Sequence, residues 1–228
     1  MNYTKIFNKN ALVNFASKCS QSKSLHCYSK KKLHNIINDN FKDKNKLSCD
    51  TSLYPKIKTR HSKKGEWLSN FDIEEVMDYY QKRFKTFVFL GALSIDFQET
   101  TEIYRNFSIN NIPKDKIGII FNTAKSTENG KHWISVFISK TEKTICVFDS
   151  NGNKPQYQLV NFINKINKNK DYVIFVNKKI KQITDGTCGL FAINFILERI
   201  TGKSCNDIYD DTTFNDNKME CIRSKLFQ

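Results

Sequence analysis

Apolar residues in this chain fall into short runs divided by polar stretches rich in Lys and Asn, and the spacing within each run assigns an element. Ile73, Val76, Met77 and Tyr80 recur at helical spacing behind Asp72 and Glu75, a capping-box pair, which predicts a helix over 72–83. A short apolar strand follows over 86–90, then a loop over 91–100, a short helix over 100–106 and a turn at Pro113. Residues 117–122 form an apolar segment of high strand propensity, and a polar loop over 124–131 leads into paired strands over 132–139 and 143–149. Leu159, Phe162, Ile163 and Ile166 give a helix over 157–167, and 172–176 reads as one more strand. After a loop over 180–187, the run 190–200 is apolar all round, the mark of a buried helix. Met219, Ile222, Leu226 and Phe227 give a closing helix packed on the sheet. The sum is an α+β domain: a central mixed sheet with helices on either side and the 190–200 helix buried in the middle.

Ahead of residue 66 the pattern weakens. Ile6, Leu12, Val13 and Phe15 make one short helical face, and Leu33, Ile36 and Ile37 another within 29–40. Residues 51–65 hold Pro55, Gly65 and little periodicity, which places a boundary there: a basic helical N-terminal arm over 1–65 and a core domain over 66–228 that starts at Trp67. Charge sharpens that division. Residues 1–66 carry fifteen Lys and Arg against four Asp and Glu, so +11 of the formal +14 sits there. Such an arm attracts polyanions, although no base-reading motif accompanies it and a solubilising surface explains it equally well. No apolar run reaches the roughly 20 residues of a membrane-spanning helix, and the N-terminus lacks the apolar stretch of a signal peptide. The expectation is a soluble intracellular protein without membrane partners. The seven cysteines include no C-x-x-C pair, so reduced thiols are expected. Cys19, His26, Cys27 and Cys49 are the nearest approach to a metal set and match no zinc spacing, so no metal is assigned.

The chemistry gathers around Gln182-Ile183-Thr184-Asp185-Gly186-Thr187-Cys188-Gly189. Cys188 stands where a polar loop turns into the buried helix, and a helix N-terminus offers free N–H groups and partial positive charge that favour a thiolate and a developing oxyanion. A buried Cys is more often only a small hydrophobe. What raises this one is company. His132 opens one strand of the hairpin and Asp149 ends the next, so both can reach the same sheet end, the first as acid and base, the second as its orienter. Asp149 also suits a simple strand-ending turn, and Asn151 and Asn153 are alternative orienters. Gly130 permits the turn into His132, Gly186 loosens the loop, and Gly189 leaves room for a substrate backbone beside Cys188. Trp133 reads equally as a cleft wall or as core.

These residues resemble the Ulp1-like and adenovirus-type cysteine proteases, through Gly130-Lys131-His132-Trp133, Phe148-Asp149-Ser150 and Gln182 followed by Cys188-Gly189. Within that group the resemblance is greatest to the polyprotein-processing proteases of large DNA viruses, the African swine fever virus type, to which Trp67-Leu68-Ser69-Asn70-Phe71-Asp72-Ile73 and Ile95-Asp96-Phe97 are also similar. It covers about 66–228. It implies a papain-like fold of the Ulp1 type and a Cys188–His132–Asp149 triad. Gln182 would be the oxyanion donor, with Trp133, Asn122 and Gly189 on the substrate side. In the swine fever type the position that Asp149 resembles looks like an Asn, whereas most Ulp1-like members carry Asp, and Asp149 follows the larger group. Many cellular relatives place an acid directly before the nucleophile, where this chain has Thr187. The implied activity is cleavage of viral structural polyprotein precursors after Gly-Gly-X-like sites during virion maturation, in the host cytoplasm or viral factory and in the packaged virion. No cofactor is needed for the chemistry, and DNA or a peptide is the candidate activator, DNA through the basic arm. A ubiquitin- or SUMO-like deconjugase is the alternative with the same chemistry, and a non-catalytic basic nucleic-acid-binding core protein the alternative without it.

Overall fold

In the computed structural model, residues 53–58, 61 and 63–227 are described. The apolar runs become five strands: β1 (Phe87–Ser94), β2 (Lys116–Asn122), β3 (Trp133–Ser139), β4 (Thr144–Phe148) and β5 (Val173–Val176). They form one sheet in chain order, with β1–β2 and β4–β5 parallel and the central pairings antiparallel. A mixed sheet flanked by helices is therefore the architecture. β1 runs past its expected end at residue 90 because its register against β2 shifts between Phe89 and Ala92, with Gly91 at φ +129°. That bulge breaks the apolar alternation that marks a strand in sequence.

β2, β3 and β4 are buried almost throughout because both faces of the sheet are covered. One face carries Ile120, Trp133, Phe137, Cys146 and Phe148, and packs on α5 (Cys188–Ile200) and α1 (Asn70–Arg83). The other carries Ile119, Ile134, Val136 and Val147. It packs on α4 (Tyr157–Ile166) and on α2 (Phe97–Thr100) and α3 (Glu102–Arg105), the first of which lies inside the stretch expected as loop. Every residue of α5 except Glu198 is buried. Its one buried cation, Arg199, pairs with Glu142 and lies over the Phe137 ring, so the charge is compensated. The C-terminal segment folds as two helices, α6 (Cys205–Asp210) and α7 (Asp216–Leu226), where the apolar spacing predicts one.

α1 begins at Ser69, whose hydroxyl and backbone N–H close a capping box with Asp72, a cap of the kind worth about 1 kcal/mol. His61 Nδ1 lies 2.8 Å from Asp72 Oδ2, so this histidine stands at the start of α1. Leu53, Tyr54 and Ile57 pack on the α5 side of the core, and the Ile57 N–H donates to Leu226 O. The two arm helices, His26, His34 and the Cys19–Cys49 grouping lie outside the described residues. The expectation of reduced cysteines fails at Cys146 and Cys205, which are joined as a disulfide between β4 and α6, their Cα atoms 6.3 Å apart. Strand and helix bring the two together across 59 residues of sequence, a proximity no local spacing reveals. Among the described residues, no helix is long and apolar enough to cross a membrane and no group of three or more His, Cys, Asp or Glu is arranged to hold a metal ion.

Candidate active site

β3 and β4 pair antiparallel with Ser135 opposite Phe148, so the residue before β3 and the residue after β4 emerge at one end of the sheet. These are His132 and Asp149, and Nε2 lies 2.6 Å from Oδ1. Their side chains are only 14% and 10% exposed, so little solvent screens the pair. The carboxylate also accepts the Asn151 N–H at 2.8 Å, and the Asp149 carbonyl accepts Asn177 Nδ2 at 2.7 Å. The Thr123 N–H donates to His132 O, which anchors the histidine backbone to the end of β2.

Cys188 is the first residue of α5, buried with its thiol free. It reaches the imidazole. Burial by itself lowers the pKa of His132, but hydrogen bonds to Asp149 and to Cys188 outweigh that and raise it to about 9. The ring is therefore an imidazolium at neutral pH, with Nε2 taken by Asp149 and Nδ1 left for the sulfur. An imidazole so placed can serve as acid and base to the sulfur beside it.

Gln182 is half-buried beside this pair. Ser150, next to Asp149, organises it. The Ser150 hydroxyl donates to Gln182 Oε1 at 2.7 Å, and the Ser150 carbonyl accepts the N–H groups of Lys181 and Gln182 at 2.7 and 3.0 Å. With Oε1 engaged, Nε2 gives one hydrogen to Thr184 O at 2.9 Å and retains a second.

Trp133 packs into the core and also borders a cavity. It is 7% exposed and donates from Nε1 to Leu68 O at 3.0 Å, yet it lines a cleft of about 440 Å³ with Trp67, Leu68, Ser94, Asn122 and Gly130. Asn122 holds the rim: its Oδ1 accepts the N–H groups of Ala124 and Lys131, both at 3.0 Å, which pins the loop just before His132. Gly189 faces Leu68, where a Cβ would stand 3.1 Å from Leu68 Cβ, so its missing side chain serves the seating of α5 on the 66–69 segment. Gly186 has φ +83°, and a Cβ there would overlap Gly65 O. Asn153 lines a second cavity, about 280 Å³, together with His132, Asp149, Asn151, Lys154 and Gln156.

Two residues that sequence reasoning does not single out do much of the fastening. Ser150 is fully buried and Asn177 nearly so. Asn177 bonds Asp149 O, Lys179 O and the Lys179 N–H, and so ties the end of β5 to the end of β4. A polar residue closing the apolar run 173–176 is the only local hint of it.

The profile of the Ulp1 protease family, C-terminal catalytic domain, matches residues 20–228. The chain belongs to this family of cysteine proteases. It is 28% identical over 165 residues to the putative thiol protease R355 of Acanthamoeba polyphaga mimivirus, across 66% of this chain and 53% of that protein. The Ulp1-family chain described here therefore spans about half the length of that relative. It is 21% identical over 188 residues to the SUMO-1 cysteine protease S273R of African swine fever virus, across 71% of this chain and 67% of that one. The crystal structure of the swine fever pS273R protease superposes with a TM-score of 0.64 at 18% identity, covering 98% of this chain and 94% of that one, which shows a shared fold.

Proposed function

We propose that this Ulp1-family chain is a thiol peptidase that cleaves protein substrates after paired small residues. Cys188 is the nucleophile, His132 the acid and base, and Asp149 the orienter. Gln182 Nε2 and the Cys188 backbone N–H receive the oxyanion. The observation that carries this reading is the imidazole held between Asp149 and Cys188 with its pKa raised to about 9. The thiolate adds to the scissile carbonyl carbon, and the two N–H donors take the charge that forms on its oxygen. His132 then passes its proton to the leaving amine, and a thioester remains on Cys188. The neutral imidazole next removes a proton from water, which adds to the thioester. Collapse expels the thiol, releases the carboxylic acid and restores the enzyme.

Cleavage after a small pair such as Gly-Gly is carried by the family likeness; the cleft lined by Trp67 and Trp133 adjoins the site through Trp133, the chain neighbour of His132. A SUMO- or ubiquitin-like conjugate is the substrate class best supported, by the family and by the name of the swine fever relative. Processing of a viral precursor at an internal Gly-Gly-X site is the second reading, favoured by the viral origin of both sequence relatives.

The test sets SUMO and ubiquitin conjugates beside Gly-Gly-X precursor peptides, each with and without DNA, and compares the wild type with Cys188→Ala. Cleavage of one class by the wild type alone is the expected result, and which class is cut decides between the readings. A wild-type protein that cuts nothing, and whose Cys188 is no more reactive toward a thiol-directed probe than in His132→Ala, would overturn the proposal and leave the basic nucleic-acid-binding alternative.

A further inference from the structure

The loop that brings Gln182 to Cys188 has little regular structure, and its hydrogen bonds converge on one carboxylate from a distant part of the chain. Asp216, the first residue of α7, accepts the Ile183 N–H at 2.7 Å and the Thr184 N–H at 3.2 Å on Oδ2. On Oδ1 it accepts the Thr187 hydroxyl at 2.7 Å. Thr187 is fully buried and directly precedes Cys188; Thr184 O accepts the Gln182 amide. Both proposed oxyanion donors are thus one residue or one hydrogen bond removed from this side chain. Among the described residues, Asp216 is the acceptor that the Ile183 and Thr184 N–H groups meet.

We infer that Asp216 is a positioning residue for the oxyanion site: through Thr184 it sets the Gln182 amide, and through Thr187 it sets the first turn of α5. It touches no reacting atom. The inference rests on the peptidase reading for its kinetic consequence, but the loop order it describes can be measured without any substrate. The geometry also makes a distinction between charge and shape. An Asn at 216 keeps one oxygen for the two N–H groups, and the Thr187 hydroxyl, 3.2 Å from Thr184 O, can turn to that carbonyl and accept from the new amide.

The experiment uses the full chain with Asp216→Ala, Asp216→Asn, Thr187→Val, Gln182→Ala and the double variant Asp216→Ala/Gln182→Ala. In Asp216→Ala, amide exchange at Ile183 and Thr184 should accelerate while β3 and β4 keep their protection. Its kcat should fall about ten- to a hundredfold, short of deleting an oxyanion donor outright, with KM changed less than about twofold. Asp216→Asn should recover most of the lost kcat, and Thr187→Val, which removes a single bond and fills the same space, should lose about threefold. Gln182→Ala already removes the route through Thr184 and leaves the one through Thr187, so Asp216→Ala should slow the Gln182→Ala protein only about threefold, far less than it slows the wild type. Unchanged exchange at Ile183 and Thr184 in Asp216→Ala would overturn the inference whether or not the wild type proves to be a peptidase. So would fully additive losses in the double variant, or an Asp216→Asn protein as impaired as Asp216→Ala. If Asp216→Ala does not fold, Thr187→Val carries the same two readouts.

Discussion

Cys188 is flanked by two regions built in different ways. The hairpin of β3 and β4 holds His132 and Asp149 by a ladder of backbone bonds within a sheet buried on both faces. The 178–187 loop has no such ladder: beyond the two N–H groups of Lys181 and Gln182 on Ser150 O, it is fastened by side chains drawn from elsewhere, Ser150 after β4 and Asp216 and Arg223 in α7. Arg223 is 1% exposed and spans His61 O and Gly186 O with one guanidinium, so the loop is fastened to the 61–66 segment as well. A ladder tolerates the loss of any one side chain, because the backbone keeps its course. A loop held by a few side chains does not. Substitutions on the hairpin side should therefore act on chemistry and spare the framework, whereas on the loop side single side chains govern geometry.

The largest effect tests the hairpin. His132→Ala should lower kcat/KM about 10²–10⁴-fold, the usual contribution of a general acid and base, and should forfeit the proton-linked stability of that imidazole while β3 and β4 keep their amide-exchange protection. Loss of that protection would mean that the His132–Asp149 pair holds the sheet end together, contrary to the division drawn above.

What the chain discloses on its own follows the same division. β2, β3 and α5 are legible because burial on both sides demands continuous apolar runs, and a His and an Asp at the ends of adjacent runs must then meet at one sheet end. The second half of β1 is not legible, since the bulge at Gly91 spoils its period. Nor are Asn177, Ser150 and Asp216. Their partners are groups brought in by the fold from about 30 residues away, and nothing in the identity of a Ser, an Asn or an Asp announces such a partner. The Cys146–Cys205 pairing is hidden for the same reason.

On the loop side, Gln182→Ala should lower kcat about 10²–10³-fold with KM nearly unchanged, if its free N–H meets charge that exists only in the transition state. Comparable losses in kcat and kcat/KM would place Gln182 there. A rise in KM alone would make it a ground-state contact and remove it from the oxyanion site.

Asn177→Ala is smaller and reads out in stability. It leaves the buried carbonyl of Asp149 without this donor, at a cost of about 1–3 kcal/mol, and releases the more exposed Lys179 carbonyl. The effect should appear in a denaturant midpoint with the slope unchanged. Activity measured at a temperature where the variant is fully folded should fall less than in Gln182→Ala, because Asn151 still donates to the Asp149 carboxylate and the ladder still delivers it to His132. An activity loss as large as that of Gln182→Ala would show that the sheet end depends on side chains as heavily as the loop does.

The mildest test needs no substitution. His132 has its pKa raised from 6.5 to about 9 in the folded protein, against burial and through its bonds to Asp149 and Cys188. A base whose folded pKa is raised binds its proton more tightly when folded. The stability this supplies is complete below about pH 6.5, declines above it and is gone once pH has risen through about 9. The same proton is the one the leaving amine needs, so kcat should fall about tenfold between pH 8 and pH 10, with the midpoint near 9. Titration of the His132 ring by NMR gives the reference value, and Asp149→Asn should move both that titration and the alkaline limb to lower pH, since an amide bonds the imidazolium without opposing charge. Gln182→Ala should move neither, because the loop donors hold no titrating proton. A limb that shifts with Gln182 and not with Asp149 would assign the alkaline loss to the loop and reverse the contrast between the two sides of the thiol.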